Sequence, residues 1–90
     1  MITLEEVFDL LVTDNTEAIQ YDGLRSCIVG VAARCSQAPL LVYDRELLIN
    51  HFMGQGMDWE EAEEYVAYNI EGLWAGPGTP LILERIEAST

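Results

Sequence analysis

Apolar and polar positions recur along this chain at spacings that predict helices over most of its length and two short strands. Leu4, Val7, Phe8 and Leu11 fall at i, i+3, i+4 and i+7, one stripe of a helix that Thr3 and Glu6 open as a capping box. The polar run "TDNTE" at 13–17 breaks it. The stretch "AIQYDGLRSCIVGVAARCS" then puts Leu24, Ile28, Val31 and Cys35 at helical spacing. Asp22 would cap this second helix, and Gly30 would admit another element at close range. "PLLVY" at 39–43, opened by Pro39 and ended by Asp44, is too short for a helix and predicts a buried strand.

Asp44 is placed to cap a third helix, "RELLINHFMG", with Leu48, His51 and Phe52 on one side and Gly54 or Gly56 as its stop. In "GMDWEEAEEYVAYN", Asp58 and Glu61 form another capping box and Met57 staples onto Ala62. Ala62, Val66, Ile70 and Leu73 are the apolar stripe of this fourth helix. "GPGTP" at 76–80 forces a turn, and "LILERI" at 81–86 predicts a second strand before a frayed "EAST" tail. The expected fold is α+β and mainly α, four helices with a small two-stranded β element in the order α-α-β-α-α-β, residues 1–90 forming one domain. Two strands alone are marginal in water, so they are expected to pair and lean on the helices, or to extend a sheet across a dimer.

Composition supports a packed core, since half the residues are apolar and Gly with Pro fill only ten positions. A chain of ninety residues buries about 60 to 65% of its unfolded surface, which leaves modest stability unless it oligomerises. Charge changes the picture more. Sixteen Asp and Glu stand against four Arg and no Lys, for a net charge of -12. Such a field disfavours direct contact with nucleic acid or an anionic membrane and favours steering toward basic protein surfaces. "MITLEEVFDLL" has neither the basic region nor the apolar run of a secretory signal, and no stretch approaches the roughly 18 apolar residues of a membrane span. A cytoplasmic protein is expected. Cys27 and Cys35, two turns apart on the predicted second helix, are too distant for an internal disulfide and read as small buried hydrophobes.

No catalytic or cofactor signature stands out, and the expectation is a protein that is not an enzyme. His51 lacks a thiol and an orienting acid at telling spacing, and fits the edge of a core. Two Cys and one His lack the clustering of a zinc site, and "GQGMD" lacks the alternating oxygen ligands of a calcium loop. Acid pairs are too abundant here to be diagnostic. The exception in character is the predicted helix at 58–74. Asp58, Glu60, Glu61, Glu63 and Glu64 begin at its N-terminus, where the helix dipole tolerates negative charge. Val66 and Ile70 already fill its core stripe, so Trp59, Tyr65, Tyr68 and Trp74 cannot all be buried as well. Carboxylates flanked by Tyr and Trp have the composition of a protein interface, although an amphipathic helix must also place its charge somewhere.

The segments "YDGLRSCIVGVAARC" and "PLLVYDRELLINHFMGQGMDWEEAEEYVAYNIEGLWAGPGTPLIL" resemble a family of small uncharacterised proteins encoded by tailed phages and prophages, over residues 21–83. The shared features are the Asp22 helix start, "VYD" leading into a helix, "GM" before the acidic "EEA" helix, "YN" within it and "GTP" before the last strand. This resemblance implies a shared fold. By analogy with small acidic phage proteins that block host defence, anti-CRISPR proteins and DNA mimics among them, it implies an inhibitor that binds a host protein with a basic, nucleic-acid-binding surface. Asp58, Glu60, Glu61, Glu63, Glu64, Tyr65, Tyr68 and Trp74 would make that contact. Two alternatives remain: a self-assembling structural or accessory phage protein, in which the same aromatics and the "LILERI" strand close a homo-oligomer, and a small enzyme, which would require a pocket holding a strongly shifted carboxylate or His51.

Overall fold

The computed structural model describes residues 2–14 and 18–86, so part of the predicted break, 15–17, and the predicted frayed tail, 87–90, lie outside it. Helix α1, Leu4–Asp14, starts as its capping box requires. The Glu6 amide donates to Thr3 Oγ1 at 3.2 Å and the Thr3 amide donates to Glu6 Oε1 at 3.4 Å. Val7 and Leu11 are buried, with Phe8 packed beside them.

The second predicted helix does not form. A single 3-10 turn, Arg25–Cys27, leads into strand β1, Ile28–Ala32. Two β-branched residues flank Gly30 in "IVGVA", a composition that favours extended backbone over helix. The helical spacing of Ile28 and Val31 has a different origin. Strand β2, Leu40–Asp44, runs antiparallel to β1 with Ile28 opposite Tyr43, Gly30 opposite Val42 and Val31 opposite Leu41. Two steps on β1 thus match one on β2, and Val29 is the extra residue of a β-bulge. The bulge absorbs one residue of alternation and brings Ile28 and Val31, three apart, to the same face as buried Tyr43 and Leu41. Asp22 is then an exposed turn residue with no helix to cap. A Cβ on Gly30 would meet nothing within 4 Å, so no close approach explains that glycine. Cys35, expected buried on the helix, is exposed, while Cys27 is buried.

Strand β3, Leu81–Leu83, pairs with β2 in parallel and gives a three-stranded mixed sheet of order β1-β2-β3. A parallel neighbour needs a long crossover. It is supplied by α2, Arg45–Met53, then α3, Trp59–Val66, which continues as a π-helical turn, Ala67–Glu71. Over the described residues the architecture is therefore α+β with three helices on a three-stranded sheet, in place of four helices and two strands. The predicted fourth helix stops at Glu71, and Leu73, the last member of its stripe, is exposed while Ala62, Val66 and Ile70 are buried.

Leu41, Tyr43, Leu48 and Val66 form the centre of the core. Tyr43 is fully buried, and its hydroxyl accepts the Tyr21 amide hydrogen at 2.9 Å. That bond fastens the segment ahead of β1 to the middle strand. Asp44 is 1% exposed and ends β2 while capping α2, where it accepts the Leu47 amide at 3.1 Å. Its other oxygen takes the Arg85 guanidinium at 2.7 Å, just beyond β3. Burial pushes this carboxyl up, but the Leu47 amide and Arg85 outweigh burial and hold it below the usual Asp range.

Tyr43→Phe leaves the Tyr21 amide without its acceptor and should cost about 1 to 3 kcal/mol in urea unfolding, with the fold retained. Arg85→Met should lower stability at neutral pH. A depressed native pKa contributes stability that is present above the unfolded Asp value of about 3.9 and lost as pH falls through the native value. The difference between wild type and Arg85→Met, followed by thermal melts, should therefore be full at neutral pH and shrink as pH falls below about 4.

Candidate functional site

α3 is positioned by its own ends. The Glu61 amide donates to Asp58 Oδ1 at 2.9 Å, the N-cap bond expected of Asp58. Ala62 and Val66 bury one side of the helix, and Ile70 extends that side through the π-helical turn. A helix so fixed has little freedom about its axis, so its outer residues present a defined surface.

The eight interface candidates separate into groups. Asp58 is committed to the helix start. Glu63 is half-buried and turned toward α2, where Arg45 reaches it at 3.5 Å and also bonds Glu71. The Glu71 and Glu63 carboxylates raise the Arg45 guanidinium above its ordinary pKa, so Glu63 shares with Glu71 a cation supplied within the fold. Glu60 is exposed between this pair and the outer face. Glu61, Glu64, Tyr65 and Tyr68 come together around an open recess of about 320 Å³, completed by Met57 and Asn69. Trp74 is elsewhere: 75% exposed, it lines a separate hollow with Leu73, Pro80 and Leu81 beside β3.

Within the recess the two tyrosines differ. The Tyr65 ring packs on buried Phe52 with centroids 4.6 Å apart, and Phe52 in turn meets the edge of His51. The Asn69 amide donates to the Tyr65 carbonyl at 3.2 Å. Tyr68 is 80% exposed and has no such support. Two carboxylates, a fixed ring and a projecting ring surround a space that no basic side chain lines. This arrangement suits a cation, since carboxylates accept its hydrogen bonds and ring faces attract it. Met57 and Asn69 were missed as site residues. Spacing offered a signal for Met57, because 57, 61, 64, 65 and 68 are i, i+4, i+7, i+8 and i+11 on one face.

Cys27 and His51 lie outside this recess. Burial pushes the Cys27 thiol up, away from the thiolate a nucleophile needs. His51 is half-buried, its Nε2 paired with the Gln55 amide at 3.1 Å. Among the described residues no three His, Cys, Asp or Glu side chains are grouped to hold a metal ion, and no helix is long and apolar enough to cross a membrane.

The unequal anchoring of the tyrosines has a measurable consequence. Tyr65→Ala should destabilise the fold by about 1 kcal/mol or more through loss of the Phe52 contact. Tyr68→Ala should stay within about 0.5 kcal/mol of wild type in the same denaturant titration.

Comparison with known protein families, with curated proteins and with solved structures finds no match to this chain.

Proposed function

We propose that this is a non-enzymatic interaction protein that binds a basic surface of another protein through the outer face of α3. The observation that carries the reading is the recess bounded by Glu61, Glu64, Tyr65 and Tyr68, which holds carboxylates and aromatic rings and no cation of its own. An Arg or Lys side chain of the partner fits it, its charge held by the carboxylates and its stem against the rings. Glu60 lies exposed beside this face, and the net charge of -12 draws a basic partner in. Asp58 and Glu63 support the helix rather than the contact. In the phage setting implied by the resemblance, the partner is a host protein in the cytoplasm whose basic surface ordinarily holds nucleic acid, and occupying that surface inhibits it.

A second reading draws on the other exposed apolar group. Leu73, Trp74, Leu81 and Leu83 are all exposed around β3, at the edge of the sheet, where a second copy would extend the sheet and bury them. In that case Trp74 serves self-assembly and the α3 recess is free.

Reversing both recess carboxylates, Glu61→Lys with Glu64→Lys, tests the leading reading. Binding to a basic partner captured by wild type should weaken at least tenfold, because charge-assisted hydrogen bonds are worth about 1.5 to 3 kcal/mol each. Helical circular dichroism should be retained, and wild-type capture should fall as salt is raised. Capture that survives both the reversal and high salt overturns the assignment. A dimer in sedimentation that is lost with Trp74→Ala and Leu83→Asp, with no basic partner bound, supports self-assembly instead.

A further inference from the structure

Acidic residues dominate the chain, yet residues 23–43 and 72–83 contain no Asp or Glu. Folding brings these two stretches together. They line an open cavity of about 330 Å³ between the β1–β2 connection and the loop that leads into β3. Ala32 pairs with Leu40 and Val42 pairs with Leu81, so Leu40 and Leu81 lie on the sheet face opposite buried Leu41 and Tyr43. Ala38 and Pro77 complete the apolar wall, and Arg34 and Gln37 stand at the rim.

Arg34 differs from the other arginines. Arg25 stacks over the Phe8 ring at 4.9 Å, Arg45 holds Glu63 and Glu71, and Arg85 holds Asp44 and Glu46. Among the described residues Arg34 has neither an ion-pair partner nor a ring beneath it. Acids outnumber arginines sixteen to four, so an arginine freed of every carboxylate needs local exclusion of acids, and the two acid-free stretches supply it. The result is one positive group at the mouth of an apolar cavity in an otherwise negative body.

We propose that this cavity binds a small monocarboxylic acid with an unbranched or monocyclic apolar body, the carboxylate on Arg34 and the body against Ala38, Leu40, Pro77 and Leu81. A planar guanidinium pairs with a carboxylate through two parallel hydrogen bonds, and the Gln37 amide can donate a further one. Size limits the ligand. At about 330 Å³ the open cavity lies at the low end of the roughly 300 to 1,000 Å³ typical of small-ligand pockets. An eight-carbon fatty acid or a phenylpropionate is a ligand of that size class. The site is separate from the α3 recess and does not depend on the partner proposed for it.

Titration of the full chain with octanoate, followed by amide chemical shifts, tests the assignment. Shifts are expected at Ala32, Ala33, Ala38 and Gly78, with the α3 face unmoved. Arg34→Gln should weaken octanoate binding about tenfold to a hundredfold, the worth of charge-assisted hydrogen bonds. Octan-1-ol, of equal length without the charge, should bind wild type weaker by a similar factor and be indifferent to Arg34→Gln. Ala38→Phe, on an exposed connection where folding is not at risk, should fill the cavity and abolish the shifts. Absent or scattered octanoate shifts, equal affinity in Arg34→Gln, or equal affinity for octanol would each overturn the proposal.

Discussion

A carboxylate buried at the junction of a strand and a helix must find its hydrogen bonds within the protein, and Asp44 finds them in two directions. One oxygen satisfies the start of α2; the other receives Arg85, beyond β3. Without the first bond an orphan amide of the helix is left unpaired, and without the second an uncompensated charge is left in the core. The parallel pairing of β3 on β2, the direction in which α2 leaves the sheet, and through it the placement of α3 are all referred to this one side chain. Tyr43, its neighbour on β2, ties in the opposite end of the chain through the Tyr21 amide.

Local chemistry was legible in the sequence wherever a side chain acts on backbone a few residues away. Thr3, Asp44 and Asp58 cap the helices they were expected to cap, and the stripe of Ala62, Val66 and Ile70 is buried. At 22–35 a helix was expected where a bulge at Val29 gives a strand the i, i+3 signature of a helix. Periodicity reports which residues share a face and is silent on how the backbone brings them there. Long-range pairings were illegible for a different reason. Nothing near Glu63 in sequence announces that Arg45 reaches it, and nothing near Trp74 shows that it turns toward β3 and away from Tyr65.

Charge in this protein is sorted as well as abundant. The outer face of α3 gathers carboxylates with no cation among them, while the cavity at the far end of the sheet is walled by segments free of acids and carries Arg34. In a body of net charge -12 the first arrangement follows the overall field and the second opposes it. Sorting of this kind gives two surfaces of opposite preference on one small scaffold, so a cationic ligand and an anionic one need not compete.

The parallel placement of β3 also sets the order in which the molecule can be completed. Asp44 and Arg85 are 41 positions apart (85 minus 44), and every residue of α2 and α3 lies between them. During synthesis the β1–β2 hairpin and both helices emerge before β3, so the Asp44 carboxylate waits for its cation until nearly all of the described chain is made. Closing so long a loop is slow relative to forming the hairpin. Until β3 arrives, one edge of β2 lacks its parallel neighbour and Asp44 lacks the Arg85 cation, and the last strand supplies both.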